Sequence, residues 1–179
     1  MAVIRISGYP GSGKTTLAKR LAEEYSYEYF YAGGLFRDMA REKNLSIEEF
    51  YRKLAQDPNL EKSVDERQAK LMQEKDNIVV EGRIAPFQDT AFKRINILLK
   101  VSRDEGARRQ SLRPENTGKS ISDIKKFTEE RIATEREHYR SLYSIKDHFD
   151  EKQFDIVLDT TSISADKVFE IILDRIETR

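Results

Sequence analysis

GYPGSGKT occupies residues 8–15. It satisfies G-x4-G-K-[ST] in full, after the apolar run AVIRIS (2–7) and before an amphipathic stretch (15–25). A strand before such a loop and a helix after it is the context a phosphate-binding loop requires. Gly8, Gly11 and Gly13 permit the turns that aim successive backbone N–H groups at phosphate oxygens. The start of a helix beside Lys14 adds its positive dipole end. The Lys14 ammonium is expected to reach the β- and γ-phosphates, and the Thr15 hydroxyl to hold Mg²⁺. Gly8, Gly11, Ser12, Gly13, Lys14, Thr15 and Thr16 together make up the expected ATP site.

Five short runs read as strands: 2–7, 28–31, 77–81, 95–101 and 154–159. Their β-branched and apolar stretches lack clean alternation, as expected for strands buried on both faces. Helical patterns lie between them, at 15–25, 60–74 and 120–142. Ser46 with Glu49 forms a capping box, and Ser164 caps a last helix carrying Val168, Ile171, Ile172 and Ile176 at helical spacing. This alternation predicts a single α/β domain of P-loop NTPase type, a parallel five-stranded sheet flanked by helices. The core comprises 1–34, 75–102 and 153–179. Segments of about 35–74 and 103–152 exceed what crossovers need, and are read as helical insertions over the ligand-binding edge of the sheet. RPENTGK (113–119) is the most loop-like stretch.

Composition narrows the chemistry. Thirty-two basic residues balance 32 acidic ones, so bulk charge draws the chain neither to nucleic acid nor to anionic membranes. The absence of cysteine excludes disulfides, thiolate zinc and a thiol nucleophile, and two histidines exclude a His-rich metal site. Nothing approaches the ~20 apolar residues of a membrane span. The expectation is a cytoplasmic monomer acting on small molecules, with no membrane partner.

A P-loop alone does not separate kinases from hydrolytic switches. Phosphoryl transfer between two anions needs cations beyond Lys14 and Mg²⁺. Candidates are Arg37, Arg83 and the arginines between positions 103 and 140. An acceptor that is itself a phosphate needs no strong general base, and none is evident, which leans toward such an acceptor. A kinase of another small metabolite and a P-loop ATPase without an acceptor stay open at this point.

AGGLFR (32–37), DERQ (65–68), VVEGR (79–83), EREHYRSLY (135–143) and FDIVLDT (154–160), together with the P-loop, resemble archaeal-type cytidylate kinases of the nucleoside monophosphate kinase group. The resemblance runs in order along nearly the whole chain. It implies transfer of phosphate from ATP to CMP or dCMP, an acceptor-binding insertion at 35–74 and a mobile lid at 103–152. Arg37 and Arg83 would then bind the acceptor phosphate, with Gly33 letting the chain pass close to it. Asp65 and Gln68 would lie near the acceptor base; the alternative for both is a solvated helix face. Arg131, with Arg109 and Arg113, would come from the lid onto the donor phosphates, although Arg131 and Glu135 also fit a surface i, i+4 pair. Glu81 would hold Mg²⁺ through water, and backbone at 160–162 would border the adenine. Tyr25, Tyr27, Tyr29 and Tyr31 read as packing residues. The chain departs from the family pattern at Gly34, where an acidic residue is usual, and at Ile84 and His138.

Overall fold

The computed structural model describes residues 2–54 and 57–179; Met1, Ala55 and Gln56 lie outside it, as do the side chains of Leu35, Leu54, Pro58, Leu60, Glu61, Ser63 and Val64. Five strands, β1 (Val3–Gly8), β2 (Glu28–Tyr31), β3 (Ile78–Glu81), β4 (Arg94–Lys100) and β5 (Ile156–Asp159), form one sheet in the order β2-β3-β1-β4-β5. Every pairing is parallel. The expected strands are present to within one or two residues. At the fifth, the Asp155 amide donates to the Asn96 carbonyl at 2.9 Å and its side chain accepts from the Asn96 backbone amide at 2.8 Å, and the strand itself runs from Ile156.

Helices follow the strands: α1 (Lys14–Tyr25), α2 (Ala32–Glu42), α3 (Ile47–Leu54), α4 (Pro58–Glu74), α5 (Arg103–Ser111), α6 (Ile121–Tyr143) and α7 (Ala165–Glu177). One sheet face, built from Ile4, Ile6, Val79, Ile97 and Leu99, packs on Leu17 and Leu21 of α1 and on Val168 and Ile172 of α7. The opposite face meets α4 through Val3, Ile78, Val80 and Met72. A separate small core, Ala32, Phe36, Ala40 and Phe50, holds α2 to α3. The Ser46–Glu49 capping box forms as expected, with Ser46 N donating to Glu49 Oε2 at 2.8 Å and Glu49 N donating to Ser46 Oγ at 3.2 Å.

Two features depart from the sequence reading. Gly33 and Gly34 lie in the first turn of α2, where glycine is disfavoured by roughly 0.5–1 kcal/mol relative to alanine. The Tyr31 ring explains them: a Cβ on Gly33 or Gly34 would come within 2.7 or 2.8 Å of its carbons. The sheet interior also holds a fully buried arginine. Arg5 donates from Nε to the side chain of Asn96 at 2.7 Å and from Nη1 to the Gln88 carbonyl at 2.6 Å, while its Nη2 is buried with no hydrogen-bond partner among the described residues. Gln88 continues the network to α4, accepting from Gln68 Nε2 at 2.6 Å and donating to the Asp65 carbonyl at 2.8 Å.

Candidate active site

The C-terminal ends of β1, β2 and β3 open on one cavity of about 150 Å³. The P-loop forms one end, with Gly13 at φ 90° placing Lys14 at the first position of α1. Lys14 Nζ donates to the Tyr9 carbonyl at 2.8 Å. Thr15 Oγ1 donates to Glu81 Oε1 at 3.0 Å, and Tyr29 OH donates to Glu81 Oε2 at 2.6 Å. Tyr29 is therefore more than strand packing, since it fixes the rotamer of the carboxylate beside the P-loop. The Ser12 hydroxyl is buried with no hydrogen-bond partner among the described residues.

At the other end Arg37, Gly33, Asp65, Gln68 and Arg83 line the same cavity. Asp65 and Gln68 are buried there on α4, so the solvated alternative does not hold. Tyr143 OH of α6 donates to Asp65 Oδ2 at 3.0 Å. Tyr31, read from sequence as packing, lines the cavity too and accepts from Arg37 Nη1.

From α6, Arg131 reaches in with its guanidinium carbon 4.0 Å from the centre of the Tyr51 ring, and its Nη2 donates to Tyr51 OH. Its partner Glu135 is buried, and also meets Arg83 at 2.6 Å. The pair is thus a three-membered ionic cluster inside the site, not a surface bridge. Arg113 lines the cavity as well, but it lies beyond the end of α5 and does not share a helix face with Arg109. Arg109 is not brought into the central cavity. It donates to the Thr160 carbonyl at 2.7 Å, the Thr161 carbonyl at 3.2 Å and the Gly11 carbonyl at 3.4 Å, joining the P-loop to the loop after β5. A second cleft runs along that seam past Ser12, Thr16, Arg113 and Ser162.

The electrostatics describe a site built for a polyanion. Five cationic side chains (Lys14, Arg37, Arg83, Arg113, Arg131) and three anionic ones (Asp65, Glu81, Glu135) line the cavity. Desolvation and then the Arg83 guanidinium, with smaller pushes from Arg113 and Arg131, lower the Lys14 ammonium to about 7 against the pull of Glu81. A phosphate chain would relieve that repulsion. Burial alone would raise the Glu135 carboxyl, but Arg83 and Arg131 outweigh it and hold it below its ordinary value.

Several contributors escaped the sequence reading. Tyr9 of the P-loop stacks on Phe149 at 4.2 Å, and Phe149 packs on the buried His148 at 4.1 Å, which meets Tyr139 of α6 edge-on at 5.2 Å. This aromatic column ties α6 to the P-loop. Nothing in a lone His-Phe pair after a loop announces it. Among the described residues, no cluster of three or more His, Asp or Glu stands ready to hold a metal. No helix among them is long and apolar enough to cross a membrane.

Comparison with known proteins agrees with this geometry. A family model described as AAA domain matches residues 4–134. The cytidylate kinase of Methanopyrus kandleri is 34% identical, over 95% of this chain and 90% of that protein. The cytidylate kinase of Pyrobaculum islandicum is 37% identical, over 99% of this chain and 94% of that one. Among solved structures, shikimate kinase from Bacteroides thetaiotaomicron aligns with a TM-score of 0.64 at 16% identity, covering 98% of both chains. A gluconokinase from Sinorhizobium meliloti aligns at 0.55 and 12% identity, over 99% of this chain and 92% of that one. The two structures share the fold: a P-loop kinase sheet with flanking helices. With relatives of that identity aligned over nearly its full length, and with the P-loop and the second, arginine-lined end of the cavity in place, the chain belongs to the cytidylate kinase family of P-loop proteins.

Proposed function

We propose that this protein transfers the γ-phosphate of ATP to CMP or dCMP, forming ADP and the corresponding diphosphate. One observation carries the reading: a single cavity has the P-loop at one end and Arg37, Arg83, Asp65 and Gln68 at the other. An ATPase without an acceptor has no use for the second end. The carboxylates also favour a phosphate acceptor over a hydroxyl. Glu81 is engaged by Thr15 and Tyr29, Glu135 by two arginines, and Asp65 by Tyr143, so each is already committed to a positioning contact. An anionic phosphate oxygen can attack without a base.

In this reading Arg37 and Arg83 hold the acceptor phosphate, while Asp65 and Gln68 face its base. The acceptor oxygen bonds to the γ-phosphorus as the bond to the β,γ-bridging oxygen breaks, and ADP carries away that electron pair. Lys14, Arg113 and Arg131 spread the charge developing on the transferred group. The Thr15 hydroxyl and the Glu81 carboxylate, 3.0 Å apart, would hold Mg²⁺, Glu81 through water. When bound, Mg²⁺ neutralises phosphate charge. Arg109 holds the backbone at 160–162 that borders the adenine. The central cavity of about 150 Å³ is below the ~300–1,000 Å³ usual for ligand pockets, so an acceptor nucleotide there would need the two insertions to part, while the second cleft of about 590 Å³ along the P-loop has room for the donor. Contacts across the cavity mark where: Arg37 meets Glu115 at 3.7 Å, and Lys119 meets Glu48 at 2.5 Å. Segment 35–74 would act as the acceptor-binding insertion and 103–152 as the lid over a core of 1–34, 75–102 and 153–179.

The direct test measures ADP release with ATP and Mg²⁺ alone, then with CMP, dCMP, UMP, AMP and GMP. Release confined to CMP and dCMP is expected; equal release without an acceptor would sink the proposal. Arg83→Ala is expected to lower kcat/KM for CMP by about 30-fold, the worth of a charge-assisted hydrogen bond of ~2 kcal/mol. KM for ATP should stay within about threefold. An unchanged CMP KM removes Arg83 from the acceptor site.

ATP binding should also take up a proton. With its free value near 7, the Lys14 amine is mostly neutral above that pH, and a phosphate chain drives it to the charged form. Titration calorimetry in buffers of different ionisation enthalpy should show uptake that grows from about pH 6 to about pH 8. Flat uptake over that range would contradict the assignment.

A further inference from the structure

Glu135 poses a problem that the proposed reaction does not answer. A carboxylate buried in a cavity for phosphates repels the ligand and bears a desolvation cost, and a merely structural ion pair could be replaced by apolar residues at no loss. Its contacts show what it does instead. Oε2 lies 2.6 Å from Nη1 of Arg83, which follows β3 on the acceptor side. Oε1 accepts from Nε of Arg131 at 2.8 Å, one turn earlier on α6. One rigid carboxylate thus sets the separation of two guanidinium groups that come from different parts of the chain.

The remaining donors fit that role. Arg131 commits Nε to Glu135 and Nη2 to Tyr51 OH, leaving Nη1 directed to neither partner. Arg83 meets Glu135 Oε2 through Nη1 as a 2.6 Å ion pair that lacks hydrogen-bond alignment, its backbone carbonyl accepts from Ser7 Oγ at 3.2 Å, and its guanidinium lies 5.6 Å from the centre of the Phe149 ring. Arg131 is hydrogen-bonded and Arg83 ion-paired to the same carboxylate, and among the described residues each has N–H groups that make no side-chain hydrogen bond. A guanidinium fixed in this way loses less side-chain entropy when it meets a phosphate.

We propose that Glu135 is a positioning residue for phosphoryl transfer, spacing the acceptor-side Arg83 from the donor-side Arg131 through one carboxylate. The proposal rests on the kinase reading for its kinetic test but not for its binding test. In Glu135→Gln the cavity gains one unit of positive charge while the shape is kept. If Glu135 were only a counterion, inorganic tripolyphosphate would bind this variant more tightly than the wild type. If it positions the arginines, tripolyphosphate should bind about tenfold more weakly by calorimetry, in spite of the added charge. Tighter binding overturns the proposal, and this measurement needs no knowledge of the acceptor.

The kinetic arm uses CMP and ATP. Glu135→Gln should lower kcat by about 100-fold, the usual cost of ~1 Å of misplacement, with ATP KM little changed. Glu135→Asp keeps the charge but shortens the reach, and should also lose at least about tenfold in kcat. The Arg83→Ala, Glu135→Gln double variant should be little worse than the poorer single one, because both act through the same contact. Full additivity, or a Glu135→Asp enzyme as fast as wild type, would overturn the idea. A wild type that phosphorylates no monophosphate would refute the kinase reading instead, leaving the tripolyphosphate result to decide on Glu135. Thermal unfolding of each variant separates a folding defect from these effects.

Discussion

Replacing Lys14 with methionine should abolish phosphoryl transfer while making the ligand-free protein more stable. The ammonium sits at the base of the cavity among Arg83, Arg113 and Arg131, and its lowered affinity for a proton reports how unwelcome that charge is without a phosphate. Methionine keeps the unbranched shape of the side chain up to the ε position and removes the charge, so the repulsion disappears. Exchanging a poorly compensated charge for an apolar side chain of similar volume commonly gains about 1–2 kcal/mol, here a Tm rise of about 3–6 °C. The sign can be checked with pH. A lysine titrating near 7 in the native state and near 10.5 when unfolded leaves the unfolded chain holding more protons between those values. Wild-type stability from this group therefore rises with pH across that window, and the Tm advantage of Lys14→Met should shrink from about pH 6.5 to about pH 9. Activity moves the other way. With one main cation at the β- and γ-phosphates gone, kcat should fall by about 10³-fold, comparable to the loss of a preorganised transition-state donor. A variant with lower Tm and residual activity near wild type would refute both halves.

That opposition explains which parts of the molecule the sequence could announce. The P-loop was legible because its glycines, lysine and threonine are set by local backbone geometry, and the strands because burial on both faces leaves continuous apolar runs. Ser46 and Glu49 read as a cap because the motif closes within one turn. What was not legible depends on contacts between distant segments. Arg83 and Glu135 are 52 positions apart, and only the fold brings them to 2.6 Å. Read along the helix, Glu135 looks like the solvent-facing partner of Arg131. Arg5 is a charge in the middle of a strand, and only its cross-strand neighbour Asn96 and the Gln88 carbonyl explain why it is buried. Tyr31 is one of four alternating tyrosines, and nothing local distinguishes it until its ring is found over the two glycines that follow. Arg109 lies outside the central cavity but lines the second cleft beside the P-loop, and the three backbone carbonyls that hold it there come from segments far away in sequence.

The second large effect concerns Gly106, which no motif marks. Gly106 lies in α5 with ordinary helical backbone, so propensity alone favours Gly106→Ala by about 1 kcal/mol. The P-loop reverses that sign. A Cβ at Gly106 would stand 2.8 Å from the Pro10 carbonyl oxygen and 3.2 Å from Val101 Cγ1, both too close to remain in place. The contact is mutual, since a Cβ on Gly11 would lie 2.4 Å from the Gly106 carbonyl oxygen and 2.7 Å from its Cα. Helix and loop therefore touch backbone to backbone, and neither can yield by rotating a side chain. Gly106→Ala should cost about 1–3 kcal/mol, as overpacking does, and raise KM for ATP about tenfold by pushing the loop off its phosphate-binding geometry. Gly11→Ala should be worse, because its φ of 80° adds backbone strain to a closer clash. A loss of about 3 kcal/mol and of about 10²-fold in kcat/KM for ATP is expected. Calorimetric titration separates the mechanism from general unfolding: ATP affinity should fall in both variants while CMP affinity holds, because Arg37 and Arg83 lie at the far end of the cavity. A Gly106→Ala protein with a raised Tm and unaltered ATP affinity would show that α5 does not shape the loop, and that propensity governs this position after all.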